Sequence, residues 1–361
     1  MIDERNNKPS ASSVHRYAVC PGSFALEQTV PAPPASPDAT LGTRVHAWLE
    51  GDLITLTDEE QELADRCAEQ EHQLVRDTFG VPSELLHPVR EQRLWEINTA
   101  AWSGKADAIY VREGHALVLD YKTGRGDVEA ATGNLQLRAL AVLVFRTYPS
   151  VTSVMVAIIQ PLASRTPSVC RYETEHLNVA SNEIDAIMLA TGDADAPRRA
   201  TPEGCKYCRA KGFCPEAQTV VETLPAAIQR DGREIVMSGD QVAQFLEAAQ
   251  VAEGVIEAVR AKAKRMLEES ETAVPGWRLK AGAVREKIVD ANTVFGRFLN
   301  AGGTEQQFMP CVTVSKGGLK TALKTALGAK GKALDEKLDC LLDGCTESTQ
   351  AAPSLVKEDS Q

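Results

Sequence analysis

The chain has 361 residues, a hydrophobic fraction of 43%, a charged fraction of 25% and a formal net charge of −11. That composition excludes a fibrous or disordered chain and allows one large domain or two ordinary ones. No apolar run approaches the roughly 18 residues a membrane helix needs, and the polar opening MIDERNNKPSASS lacks the apolar core of a secretory signal. The expected setting is cytoplasmic, where nine cysteines point to metal binding or burial rather than disulfides. The acidic balance argues against nonspecific coating of nucleic acid but permits a local basic groove.

Residues 1–14 read as a disordered N-terminus, and HRYAVCPGSFALEQ as a short helix carrying Cys20. A Pro-rich connector, PAPPASPD, leads to the helical spacing of LGTRVHAWLEGDL with His46 inside it, and then to a long polar helix over 57–79. Three strand-like runs follow at 87–97, 103–113 and 115–122, the last two close enough for a hairpin. An amphipathic helix over 134–148, a buried strand over 151–161 and a further strand and helix within 164–200 complete the pattern. The order predicts an α/β fold with a mixed central sheet flanked by helices over residues 15–222. Residues 223–346 read as a mainly helical region. It holds one unbroken helix around 238–270, a small hairpin at VPGWRLKAGAVREKI and a Lys-rich stretch, and 347–361 form a flexible tail.

Two constellations carry chemistry. In LVLDYKTGRG, Asp120 and Lys122 are two apart on a strand and project from one side of it. Asp107, in GKAD on the neighbouring strand, converges with Asp120 on one cation if the register permits, since paired strands lie about 5 Å apart. Such carboxylates suit Mg or Mn, and an imidazole from His46 tilts the preference toward Mn. Taken alone, Asp-x-Lys is a common pattern and also describes a surface ion pair. The second constellation is Cys205, Cys208 and Cys214, a C-x2-C-x5-C cluster. It is one thiolate short of a tetrahedral zinc or an iron–sulfur cluster, and Cys20 is the candidate fourth ligand.

Taken together, His46, Gly104/Asp107, Asp120/Lys122 and Gln136 resemble the PD-(D/E)XK nuclease superfamily, whose core is the restriction-endonuclease-like fold. One Cys before that core and three after it resemble its RecB-like, iron–sulfur branch. That branch includes CRISPR-associated adaptation nucleases and the nuclease domain of AddAB-type helicase–nucleases. SSVHRYAVCPGS, DYKTGRG and VPGWRLKAG look closer still to a family of phage and prophage proteins of unknown function with a predicted nuclease core. The resemblance implies a Mg- or Mn-dependent deoxyribonuclease, an exonuclease of phage recombination or end processing in the host cytoplasm. It places the divalent ion on His46, Asp107, Asp120 and the carbonyl of Tyr121. Lys122 becomes the catalytic lysine, and Gln136 positions substrate or that lysine. Cys20, Cys205, Cys208 and Cys214 would hold a [4Fe–4S] cluster clamping the N-terminal helix to the end of the core. Glu91, on the first core strand, matches a position where some relatives carry an acid. The sequence departs from the family's Gln-x-x-x-Tyr helix motif at Leu140, which removes an aromatic hydroxyl from substrate handling.

Arg16, Lys105, Arg125 and Arg138 lie near these motifs and are candidate phosphate contacts. Lys316, Lys320, Lys324, Lys330 and Lys332 form either a second basic face or a merely soluble helix. The implied partners are DNA, a recombinase, a single-strand annealing protein or another phage protein, and further copies of the chain. The rival reading is a catalytically silent Fe–S subunit that binds DNA or protein on the same fold.

Overall fold

The computed structural model describes residues 5–30, 37–193, 195–224, 228, 230–231, 234–235 and 237–279. Beyond them it describes 295–296, 299, 304–305, 318–320 and 331–342. The chain divides into two compact units, Met1–Lys280 and Ala281–Gln361.

In the first unit, β5 (His115–Tyr121) is the centre of a five-stranded sheet. The strand order is β1 (Val89–Arg90), β4 (Ala108–Arg112), β5, β6 (Ser153–Ile159) and β7 (Ser168–Glu173). Only β5 and β6 run parallel, so the sheet is mixed, and α5 (Leu135–Thr147) supplies the crossover such a pair requires. The turn from β4 into β5 is tight because Glu113 and Gly114 both adopt positive φ, at 51° and 81°.

Side-chain alternation along β5 divides the interior. Ala116 and Val118 face a core built with α5 and α6 (Thr174–Ala190). Leu117, Leu119 and Tyr121 face a second core with α3 (Pro37–Glu50) and α4 (Asp58–Phe79). Helix α4 begins at a capping box of Thr57 and Glu60 and stops at Gly80 with φ 68°. Arg44 on α3 reaches Glu60 at 2.8 Å, tying the two helices together.

Several sequence expectations are corrected. The strands expected over 87–97 and 103–113 are each interrupted. Residues 89–90 and 108–112 pair in the main sheet, whereas β2 (Arg93–Trp95) and β3 (Ser103–Lys105) form a separate two-stranded piece. The breaks fall at Glu91–Gln92 and Ala106–Asp107, where Glu91 takes a left-handed φ of 50° and bends the path. The single helix expected around Cys20 is two, α1 (Val14–Val19) and α2 (Ser23–Gln28). Pro21 disfavours helical geometry at the residue before it, and Gly22 sits so close to Ala196 that a Cβ would lie 2.3 Å from its carbonyl oxygen. Residues 9–14 are not a loose end: the Ser103 amide donates to the Pro9 carbonyl at 3.1 Å, and Ala11 and Val14 are buried. The edge of β3 offers them a hydrogen-bonding partner.

The cysteine segment comprises α7 (Pro202–Lys206), a short turn and α8 (Pro215–Thr223), packed on the 31-residue helix α9 (Gly239–Glu269). Gly239–Glu269 is the unbroken helix the sequence predicts. A two-residue pair, β8 (Arg230–Asp231) and β9 (Glu234–Ile235), precedes it. In the second unit, α10 (Gly331–Leu342) buries Leu334 and Leu338, and Asp335 pairs with Lys320 at 2.6 Å. Lys316, Lys324 and Lys330, residues 280–288 of the expected hairpin, and the tail 347–361 lie outside the described residues. Among the described residues no helix is long and apolar enough to cross a membrane.

Candidate active site

The strand breaks create the site. Freed from regular alternation, Glu91 and Asp107 turn their carboxylates toward His46 on α3, which stands 3.2 Å from Asp107 and 3.9 Å from Glu91. One ligand atom from each of His46, Glu91 and Asp107 lies within 4.8 Å of the others. Among the described residues this is the one such group of three or more His, Cys, Asp or Glu side chains. Two carboxylates and an imidazole, half-buried around a common point, are a donor set for a hard divalent cation of the Mg or Mn kind.

Asp120 stands beside this group at the end of β5, buried at 5% exposure. One of its oxygens contacts Lys122 Nζ at 2.7 Å and the other accepts from Gln136 Nε2, on the first turn of α5, at 2.8 Å. The backbone ties the halves together, since the Tyr121 amide donates to the Asp107 carboxylate. A strand residue's amide and carbonyl point the same way, so the Tyr121 carbonyl faces that edge too. The Tyr121 ring lies on the opposite side, edge-on to His46 at 5.7 Å, with its hydroxyl on Glu71 at 2.7 Å. Glu71 also accepts from Arg90 and Tyr110, each at 2.6 Å, forming a buried network under the site.

Each of the three carboxylates has a cationic neighbour: Asp107 has His46, Glu91 has Lys105 and Asp120 has Lys122. Burial opposes a charge on His46, but the neighbouring Asp107 and Glu91 carboxylates outweigh it and push the imidazole up to about 10. Burial likewise opposes charge on Glu91, yet His46 and Lys105 hold its carboxyl down at about 2. For Lys122, burial is outweighed by the neighbouring Asp120 charge, and its pKa is raised. Glu50, at the end of α3, is pushed up to about 7 by burial and then by the charge of Glu91.

The remaining candidates are placed as follows. Leu140, one helical turn beyond Gln136, is 1% exposed and packs in the core against Gly104, so position 140 does not line the site. Arg138 makes a two-pronged contact to Glu183 on α6, and Arg16 contacts Glu27 at 2.6 Å, so both have carboxylate partners, as Lys105 does. Arg125 is exposed on the loop after β5. Sequence reasoning ranked Glu91 low and missed Glu71 and Glu50. A sign of Glu71 was available, because it is an acidic residue on the apolar stripe of α4.

Cys20, Cys205, Cys208 and Cys214 are all buried, although they are drawn from segments far apart in the chain. The Arg199 amide donates to Cys20 Sγ at 3.3 Å, and Arg198 lies where its charge acts on Cys20 and Cys214. Burial raises the thiol pKa of Cys205 and Cys214, and that of Cys208 to about 11. The four sulfurs do not gather within the 4.8 Å spacing that the His46 group meets.

Fold and site together define an α/β protein with a histidine–carboxylate cluster at the end of its central strands. The chain belongs to a family described as a protein of unknown function (DUF2800), whose profile matches residues 89–361. The match begins at β1 and takes in Glu91, Asp107, Asp120 and Lys122, while His46 and Cys20 lie before it. No curated protein matches the sequence. Among solved structures, a presumed exonuclease from Eubacterium rectale is 14% identical, covers 55% of this chain and 90% of its own, and has a TM-score of 0.35. An alkaline exonuclease from Laribacter hongkongensis is 9% identical over 52% of this chain and 89% of its own, with a TM-score of 0.28. A phage related exonuclease from Haemophilus somnus is 15% identical over 50% of this chain and 92% of its own, with a TM-score of 0.25. Likenesses of that size carry no weight for the chemistry, which rests on the geometry above.

Proposed function

We propose that the protein is a metal-dependent DNA nuclease, an exonuclease that hydrolyses phosphodiesters. The observation that carries this reading is the convergence of His46, Glu91 and Asp107 within 4.8 Å, beside an Asp120–Lys122 pair at 2.7 Å. His46, Glu91, Asp107 and the Tyr121 carbonyl would hold Mg or Mn, with Asp120 completing the set. When bound, the ion supplies polarisation of a phosphoryl oxygen and activation of water. Lys122 orients the attacking water and balances charge gathering on the phosphate, and Gln136 keeps Asp120 aimed by holding its second oxygen. Lys105, ion-paired with Glu91, adds positive charge beside the site. A role in phage recombination or end processing follows the motif resemblance.

We also propose a [4Fe–4S] cluster on Cys20, Cys205, Cys208 and Cys214. Burial of four thiols beside Arg198 and a backbone amide supports metal-held thiolates. Iron, sulfide and zinc analysis with visible absorption on anaerobically purified protein tests it, and a colourless protein holding zinc alone would refute it.

The nuclease is tested by digesting end-labelled linear DNA with Mn or Mg, beside Asp107→Asn and Asp120→Ala. Progressive shortening that vanishes in both variants is expected. Intact DNA under every metal, from cluster-loaded protein, would leave a catalytically silent binding subunit as the better account.

A further inference from the structure

The second constellation contributes a residue to the first. A cavity of about 300 Å³ opens beside Lys122, lined also by Thr123, Gly124, Gly126, Asp127, Gln160 and Tyr207. Tyr207 lies between Cys205 and Cys208, and it is 76% exposed. An exposed aromatic is ordinary when it stands alone on a surface. Tyr207 instead forms a wall of the cavity that contains the lysine of the site. Its backbone is braced, because its carbonyl accepts from Arg16 at 3.3 Å and the neighbouring Arg209 amide donates to Glu27 at 2.8 Å. The loop after β5 that also lines the cavity is fixed as well, since Gln160 donates to the carbonyls of Gly124 and Gly126 at 2.9 and 2.8 Å. The Lys206 ammonium stands over the Tyr207 ring, 5.3 Å from its centroid, and places a positive charge beside it.

From this arrangement we propose that Tyr207 is the stacking platform for an unpaired base of the DNA strand entering the site, with Lys206 beside it for the strand's phosphate. The proposal rests on the nuclease reading for its substrate class and adds that the strand is taken single-stranded. Bases within a duplex have their faces covered by their neighbours and present only edges in the grooves. A ring on a residue 76% exposed leaves aromatic surface open to a base already out of the stack. The cavity agrees, since about 300 Å³ is the lower end of the range for pockets that hold one small ligand.

The test measures binding of the full, cluster-loaded chain to a single-stranded oligonucleotide and to a blunt duplex, by fluorescence anisotropy with calcium in place of the catalytic metal. Tyr207→Ala is expected to weaken single-strand binding roughly tenfold, about 1.4 kcal/mol, and to leave duplex binding unchanged, while Tyr207→Phe matches wild type. In wild type, the fluorescence of a 2-aminopurine placed in the single strand is expected to be quenched on binding. Tyr207→Ala that binds single strands as wild type does, that loses both forms equally, or a probe that is not quenched would overturn the proposal. Cleavage assays separate it from the nuclease reading. Tyr207-dependent binding by a protein that cuts nothing supports the platform and removes the nuclease. Cutting of single strands at equal rates by wild type and Tyr207→Ala keeps the nuclease and removes the platform.

Discussion

Glu91 and Asp107 face each other across the break in their strands: the amide of Glu91 donates to the carbonyl of Asp107 at 3.3 Å, while both carboxylates turn to one imidazole. The interruption of the sheet is thus what gathers the ligands. Glu91 holds a left-handed φ of 50°, which costs a residue with a side chain about 1–2 kcal/mol. Glu91→Gln is expected to lower Mn affinity by more than the roughly 10–100-fold that an outer partner contributes. Glu91→Gly is expected to lose the same affinity while melting no lower than Glu91→Gln, because glycine relieves the φ. Titration calorimetry and thermal melts measure the two effects separately.

Gln136 touches Asp120 from the first turn of α5, where the Asn134 side chain caps the helix by accepting from Leu137 at 3.0 Å. Gln136→Ala is expected to reduce kcat roughly 10–100-fold by loosening that carboxylate, with little change in melting temperature. A KM effect without a kcat effect would show that Gln136 binds substrate instead.

Gly104 lies under α5, where a Cβ would sit 2.7–2.9 Å from Leu143 Cδ1, Leu140 Cδ2 and Ala11 Cβ. Gly104→Ala should cost about 1–3 kcal/mol by overpacking. Adding Leu140→Ala should recover part of that loss, because the two changes share one space. Urea unfolding of the single and double variants gives the coupling.

Glu71, 1% exposed, answers Arg90 and the hydroxyls of Tyr110 and Tyr121. Glu71→Ala leaves Arg90 and two buried hydroxyls without their acceptor, and a loss of about 3–5 kcal/mol is expected, checked by the same unfolding measurement.

The Arg44 hydrogen bond holds the Glu60 carboxyl down at about 2, from an ordinary 4.5. A lowered folded-state pKa adds stability that is fully present above the ordinary value and disappears as pH falls toward the folded one. Glu60→Gln should therefore melt below wild type at neutral pH, and the gap should close between about pH 4.5 and pH 2.

Much of this was legible in the sequence, because periodicity reports what is regular. Asp120 and Lys122 are read as sharing a strand face, His46 as lying on a helix, and the polar helix expected over 57–79 spans Asp58–Phe79. What could not be read is where regularity fails. Nothing local in VREQRLW or SGKADAI requires a break at Glu91 and Asp107; the break is fixed by Arg90 pairing with Ala108 on one side and Arg93 with Lys105 on the other. Leu140 shows the same limit, since its role depends on Gly104 lying across from it. Arg16 and Arg138 looked like spare cations only because Glu27 and Glu183 are not their sequence neighbours.

The seating of α1 has a consequence for the growing chain. Val14 and Tyr17 are buried in the core that α5 and α6 complete more than a hundred residues further along the chain. On the ribosome this helix waits exposed while the strands assemble, and Cys20 waits longer still for the segment around Gly204 that packs on it. The β4–β5 and β6–β7 pairs join strands adjacent in sequence and can form early, whereas the closing of the N-terminal segment is a late step. A stall before residue 214 would release an assembled sheet with its first helix undocked and its cysteine set incomplete.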